Sequence, residues 1–356
     1  MAPSPEAPSS GRSLDLLADT AGAFADAAGR SGEVVERSVR IAGHHIRLRF
    51  AGAAMVSALT RALAHLQPAD GDPDLVVEIW DSASVGGNAP PSLPGKPEGT
   101  PDGVRILYDE GPVQAVYLPS ERSLSLIDAS SGRAWFWTAD ADGIPHWERA
   151  APLRYILNSW LGAQGQHVVH AGAIAGRDGG VLLVGKGGSG KSTTALTCVQ
   201  AGFSYAGDDY SLVSARPPTA HALYGSGKLH AHHVTRFPDL MPSVDNVDRL
   251  SEEKALIFVA SDALGRFDDS FPIRAVAVPR VTGQAETRFS RASPAEALAA
   301  LAPSSLFLMP GASATTMAAM ADLLRQTPCY RLDLGTNLHD IPSAVRNLLA
   351  STSERD

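Results

Sequence analysis

Val181-Leu182-Leu183-Val184-Gly185-Lys186-Gly187-Gly188-Ser189-Gly190-Lys191-Ser192-Thr193-Thr194-Ala195-Leu196 joins an apolar run, a glycine-rich turn and the start of a helical stretch. Residues 185–192 satisfy G-x-x-x-x-G-K-[ST] in full. The apolar run reads as an entering strand, and Ser192–Ala201 as a helix leaving the turn with Gly202 as its C-cap. Glycines let successive backbone N–H groups curl toward phosphate oxygens that side chains would obstruct. The helix start adds unpaired donors and the positive end of its dipole. In that arrangement Lys191 reaches the β- and γ-phosphates and Ser192 offers a hydroxyl to Mg²⁺. Gly185, Lys186, Gly187, Gly188, Ser189, Gly190 and Thr193 complete the expected nucleotide contact. For Lys186 an exposed surface lysine is an equal reading. A turn that matches by chance is the competing reading of the whole, and strand entry with helix exit argues against it.

Downstream, Phe203–Ala206 reads as a short buried strand ending on Gly207-Asp208-Asp209, with Asp208 sixteen residues after Ser192. Both carboxylates then fall at the carboxyl end of a core strand beside the loop. One can hold Mg²⁺ directly or through water; the other can accept the proton of an attacking hydroxyl. Adjacent carboxylates repel, so one pKa should rise unless a metal offsets it. An Asp pair capping a turn before Tyr210 is the plainer alternative. Upstream, His167–Ala175 and Val181–Val184 read as strands around Arg177-Asp178-Gly179-Gly180. This puts His170 on the preceding strand, where a lone histidine reads as structural.

Taken together, His170-Ala171-Gly172, Gly185–Ser192 and Ala206-Gly207-Asp208-Asp209 resemble, in order and interval, the HPr kinase/phosphorylase family. These are bacterial serine kinases whose P-loop core is related to that of ATP-dependent phosphoenolpyruvate carboxykinase. The likeness covers about residues 165–215. It implies an α/β fold with a mixed sheet in the P-loop core, and ATP and Mg²⁺ as cofactors. It further implies Asp208 as general base, Asp209 and Ser192 as metal ligands, Lys191 on the phosphates and His170 orienting the Asp pair. Pro310-Gly311-Ala312-Ser313 carries no arginine where the family has an arginine-bearing loop. The chain is therefore more similar to divergent members, some of which phosphorylate a serine of a lasso-peptide precursor. The resemblance also allows a homo-oligomer.

The rest of the chain sets the frame. Its 356 residues suffice for two domains. Residues 1–32 read as a flexible N-terminus with a helix over Leu14–Ala28, 33–145 as a smaller N-terminal α/β module, 146–350 as the kinase domain and 351–356 as a tail. Within the module, Val35–Ile41 and His45–Phe50 flank the turn Ala42-Gly43-His44. Met55–Leu66 has helical periodicity, Leu75–Trp80 reads as a buried strand and Ser82–Gly103 as a long loop. Val104–Tyr108, Val113–Leu118, Ser123–Asp128 and Arg133–Thr138 form a meander. Further strands are expected at Ala255–Ala260, Ile273–Val278 and Tyr330–Leu334, with helices at Pro294–Leu301, Ala314–Gln326 and Ile341–Leu349.

A formal charge of −8 disfavours nucleic-acid binding. The two cysteines, Cys198 and Cys329, read as structural. No signal sequence opens the chain and no run of about 18 apolar residues interrupts it, so a cytoplasmic protein without membrane contact is expected. His230, His232 and His233 lack carboxylates or cysteines at ligand spacing, which argues against zinc. Lys228, Arg236 and Lys254 are candidates to neutralise a transferring phosphate. Gly283–Ser293 and Ser304–Ser313 could cover the site. Three functions fit: a kinase acting on a serine hydroxyl of a peptide or protein, a kinase of a small-molecule hydroxyl, or a nucleotide-gated peptide-binding protein.

Overall fold

Alternation of apolar and polar residues builds the first half. The structure is a computed structural model and describes residues 11–91, 106–259, 266–308 and 314–353. Helix α1 (Gly11–Ser31) precedes a hairpin of β1 (Val34–Ile41) and β2 (His44–Ala51). Its turn residues Ala42 and Gly43 take φ +48° and +91°, as a two-residue hairpin turn matched to strand twist requires. After α2 (Val56–Thr60) come β3 (Leu75–Asp81) and the one-turn α3 (Ser82–Val85). Strands β4 (Ile106–Glu110), β5 (Val113–Leu118), β6 (Ser123–Asp128) and β7 (Arg133–Thr138) form the expected antiparallel meander. The sheet order is β1-β2-β3-β7-β6-β5-β4, with β3 parallel to both neighbours. One face is covered by α1, whose Leu16, Phe24 and Ala27 pack against Trp80, Trp135 and Trp137. The other carries Ile46, Leu48, Phe50, Val77 and Phe136 into the core of the second half.

The second half opens with α4 (His146–Ala150) and α5 (Arg154–Ala163), then β8 (Gln166–Val169), β9 (Ala171–Gly176) and β10 (Gly179–Val184). Helix α6 (Lys191–Gln200) leads to β11 (Ser204–Gly207), β12 (Ser211–Ala215), β13 (Pro218–His221), β14 (Ser226–Leu229), α7 (Ala231–Val234) and β15 (Ala255–Phe258). The chain ends through β16 (Ser270–Val281), β17 (Arg288–Arg291), α8 (Pro294–Leu308), α9 (Ala314–Gln326), β18 (Cys329–Leu334) and α10 (Asp340–Ser353). The nine-stranded mixed sheet runs β11-β9-β10-β16-β13-β12-β8, with β18 also on β16 and β17 on β18. Strands β10, β16 and β18 are parallel, and β10 and the middle of β16 are nearly continuous in apolar residues, because helices cover both faces. Helices α6 and α10 lie on one side with Ile174, Val181 and Leu183; α8 and α9 lie on the other with Leu182, Val184 and Val276. Cys198 and Cys329 are buried free thiols, and burial raises the pKa of both.

Several elements differ from expectation. His167–Ala175 is two strands, broken at His170. Strands β12, β13 and β17 have no counterpart in the sequence reading. Met55–Leu66 forms only α2 and a 3₁₀ turn over Arg61–Leu63. Ser304 belongs to α8 rather than to a loop, and that helix continues through Pro303 to Leu308. Residues 1–10, 92–103 of the expected loop, Pro310–Ser313 and 354–356 lie outside the described residues.

Candidate functional site

Strand β10 delivers Gly185, and α6 begins at Lys191, so the loop between them joins a buried strand end to a helix start. Gly188 and Gly190 take φ +77° and +105°, and a Cβ on Gly190 would stand 2.3 Å from Leu334 Cδ1. Glycine alone meets both demands at 190. The Ser189 N–H donates to the Lys186 carbonyl at 3.2 Å, and the Thr194 N–H donates to that of Gly190 at 2.9 Å, which starts the helical ladder. The amides just before that bond have no intrahelical acceptor. They border a cavity of about 180 Å³ lined on this side by Gly187, Gly188, Gly190, Lys191, Ser192 and Thr193. The Lys191 ammonium is folded back, donating to the carbonyls of Gly185 (2.6 Å) and Lys186 (3.3 Å). Burial lowers its pKa against the pull of Asp208 and Asp209. The Ser189 hydroxyl is buried without a partner, and Lys186 is exposed.

Across the cavity stands the aspartate pair. Pairing of β11 with β9 shifts register between Tyr205 and Gly207, a bulge of the kind that re-aims side chains at a sheet end. The turn that follows is tight, since a Cβ on Gly207 would lie 2.5 Å from the Tyr210 carbonyl oxygen. Asp208 is buried, whereas the Asp209 side chain is 29% exposed and lines the cavity. Asp208 Oδ2 accepts the Lys228 backbone N–H at 3.3 Å; Oδ1 is buried with no partner. Burial, then the charge of Asp209, push the Asp208 carboxyl from 3.8 up to about 6, against the Lys228 N–H, the Ser192 hydroxyl and the Lys191 ammonium. Asp209 Oδ1 accepts from His170 Nε2 at 2.8 Å, and Oδ2 lies 2.5 Å from the Lys228 ammonium. Burial opposes the Asp209 charge, but Lys228 and then His170 outweigh it and hold the carboxyl well below the usual range.

His170 owes its position to the strand break. There the chain leaves β12, the partner of β8, for β10 and β11, the partners of β9. Backbone groups beside the break find side chains instead: the His170 N–H donates to Ser305 Oγ at 3.0 Å, and Ser211 Oγ donates to the Ala171 carbonyl at 2.8 Å. Buried backbone polar groups need such substitutes. Ser305 lies on α8, so that helix fixes the break.

Of the residues expected to act together, His170, Lys191, Ser192, Thr193 and Asp209 line one cavity, with Asp208 directly behind. Gly185, Lys186 and Ser189 lie on the other flank of the loop, beside a second cleft. Lys228, His230, His233, Arg236 and Lys254 share the first cavity, whereas His232 is outside its lining. The three histidine rings cluster with centroids 4.2 to 6.1 Å apart, and among the described residues no three or more His, Cys, Asp or Glu side chains converge as a metal-holding group. Gly283–Ser293 contributes β17 to the sheet rather than a wall of the cavity. Sequence reasoning missed Ser211 and Ser305, which no local motif marks, and the pairing of Lys228 with Asp209. Gly225-Ser226-Gly227 beside Lys228 was the available signal: a Cβ on Gly227 would already touch Asp208 Oδ2, at 3.5 Å.

No protein-family model and no curated protein sequence matches the chain. Among solved structures it is similar to the Hpr(Ser) kinase/phosphatase from Coxiella burnetii, at 11% identity over 52% of this chain and 99% of that one, with a TM-score of 0.28. At that score the likeness is distant and says nothing about the chemistry of this chain. No helix among the described residues is long and apolar enough to cross a membrane.

Proposed function

We propose that the chain is a kinase that moves the γ-phosphate of ATP to a serine-type hydroxyl of a peptide or protein. One observation carries this reading: a glycine-rich loop with free amides and Lys191 faces, across a small cavity, the Asp209 carboxylate with Asp208 directly behind it, two groups whose pKa values are driven apart. Environments that split a carboxylate pair assign its members different tasks. Asp208, at about 6 and with Oδ1 unpartnered, is suited to take a proton near neutral pH. The hydroxyl oxygen bonds to the γ-phosphorus as the bond to the bridging oxygen of ADP breaks, and the hydroxyl proton passes to Asp208. Lys191 exchanges the loop carbonyls for phosphate oxygens. Lys228, anchored by Asp209, offsets charge on the transferred group, and His170 positions Asp209.

Ser192 and the buried orphan oxygen of Asp208 fit a divalent cation, as does the ionised Asp209. Mg²⁺ held there would neutralise phosphate charge. The placement of Ser192 beside Asp208 favours a second allocation, with Asp208 on the metal and Asp209 orienting the hydroxyl. Incubating the purified protein with labelled ATP, Mg²⁺ and serine-bearing peptides, including those encoded beside its gene, tests the activity by mass spectrometry. Free serine and sugars test a small-molecule acceptor. Asp208→Asn should abolish transfer and spare Mg-ATP affinity; loss of Mg²⁺ affinity instead would select the second allocation. Absence of any Mg-nucleotide binding by calorimetry would sink the kinase reading.

A further inference from the structure

A polar cavity of about 380 Å³ lies where the two halves of the chain meet, and it shares no lining residue with the cavity at the glycine-rich loop. Its walls come from residues 54–61, from the segment 141–149 that joins the halves, and from the turn 245–249 with Phe258. Asp245, its side chain 14% exposed, holds two guanidiniums there: Arg61 of the first half on Oδ1, and Arg149 Nη1 at 3.1 Å from Oδ2. The Arg61 guanidinium lies over the Phe258 ring, 4.4 Å from its centroid, a contact that fixes its place. Two positive charges thus share one carboxylate, and most of their N–H donors are unspent. Arg149 Nε is buried without a partner. Arg249, also in the lining, is taken up by Glu253 at 2.6 Å. The same cavity is lined by Asp142 and Asp248, both exposed, whose carboxylates pair with no other described residue.

We infer that this junction cavity binds a small zwitterion of the free amino-acid kind, at a site separate from the kinase cavity. The surplus positive charge and open donors of Arg61 and Arg149 suit a carboxylate, which guanidinium N–H groups grip in parallel pairs. A bare anion would also meet Asp142 and Asp248, and a bare cation would meet the two arginines. A ligand carrying both charges a few bonds apart is opposed by neither. Buried Ile144 and half-buried Ala58 give its side chain an apolar wall. The volume lies at the lower end of the roughly 300–1,000 Å³ usual for ligand sites, which favour the places where domains meet. The site is also built into the framework that holds the aspartate pair: the Asp245 N–H donates to the Leu256 carbonyl at 2.8 Å, and Leu256 pairs with Lys228 across β15 and β14.

Calorimetry of the full chain with the common L-amino acids tests the inference, with acetate and methylammonium as ligands carrying one charge each. At least one amino acid should bind with a Kd of about 1 mM or tighter, and acetate and methylammonium at least about tenfold more weakly. Arg61→Ala removes a charged donor and should weaken that amino acid by about 10–150-fold. The double variant Asp142→Asn, Asp248→Asn changes two exposed groups with no role in the fold, and should weaken it by about tenfold or more. Lys191→Ala, in the glycine-rich loop, should leave the affinity within about twofold. Silence from every amino acid would overturn the inference, and acetate binding as tightly as the amino acid would reduce the cavity to a simple anion site. Affinity lost in Lys191→Ala and kept in Arg61→Ala would place the amino acid in the kinase cavity, as an acceptor. The kinase reading stands or falls separately, on Mg-nucleotide binding.

Discussion

Asparagine at position 208 should make the protein more stable at neutral pH, and asparagine at position 209 should make it less stable. The Asp208 carboxyl titrates at about 6 in the fold, against an ordinary value of 3.8. Each pKa unit is about 1.4 kcal/mol, so an ionised Asp208 costs the fold up to about 3 kcal/mol above pH 7. Between 3.8 and about 6 the folded state keeps a proton that the unfolded chain has released. Stability therefore falls as pH rises through that window. Asparagine does not titrate. The advantage of Asp208→Asn should be near zero below the window, about half its full size at pH 5, and complete above pH 7.

Asp209 has the opposite sign. Its folded pKa is depressed, so its contribution is present above the unfolded value and disappears only as pH falls through the folded one. Asp209→Asn leaves the Lys228 ammonium, 15% exposed, without its anion. The cost should be about 1–3 kcal/mol, below that of a fully buried pair because Asp209 is partly open to water. Urea unfolding followed by tryptophan fluorescence at pH 5 and 7.5, with chelator and without nucleotide, measures both variants. Mg²⁺ must be excluded because a bound cation lowers the Asp208 pKa by itself. Shifts of the same sign at pH 7.5, or an Asp208→Asn protein no more stable than wild type, would refute the electrostatic account of the pair.

With Asp208 as the proton acceptor, kcat/KM for transfer should fall about tenfold per pH unit below the Asp208 pKa, which lies at about 6 without metal and lower with Mg²⁺ bound; a profile with no acid limb down to the pH at which the protein unfolds would remove Asp208 from that role. Ser305→Ala strands the His170 N–H and should cost about 1–3 kcal/mol in denaturant, with Ser305→Thr recovering most of it. Gly190→Ala should abolish nucleotide binding while circular dichroism stays native, because the new Cβ meets Leu334 at 2.3 Å with φ at +105°.

What the sequence disclosed was what local chemistry decides. The meander strands from Val113 to Thr138 fall where alternation and turn residues put them. The loop between β10 and α6 was legible for the same reason: the glycines needed by its backbone are written side by side. The break at His170 was not legible, because Val168-Val169 and Ala171 continue an apolar run and the groups that compensate the break, Ser211 and Ser305, are 40 and 135 residues away from their partners. Met55–Leu66 kept helical spacing yet coils into a 3₁₀ turn, and the Ala62 carbonyl there accepts the Gly225 N–H at 2.7 Å. Tertiary pairing overrode periodicity.

That last contact also ties the geometry of the candidate site to the first half of the chain. Strand β14 supplies both groups that grip the aspartates: the Lys228 N–H on Asp208 and the Lys228 ammonium on Asp209. The run entering β14 is tied to the first half by the Gly225 N–H on the Ala62 carbonyl, and to the start of the second by the Ser226 hydroxyl on the Ala150 carbonyl and the Tyr224 hydroxyl on the Pro152 carbonyl at 3.0 Å. A Cβ on Gly225 would meet the His65 ring at 2.7 Å, so the approach is as close as backbone allows. Leu223, Tyr224 and Leu256 share one buried cluster with Ile46, Phe50, Leu63 and Phe136. Packing at interior density transmits displacement instead of absorbing it. A cavity cut into that cluster from the first sheet, such as Phe50→Ala, would therefore loosen Lys228, and the split between the two aspartates would narrow although neither had been touched.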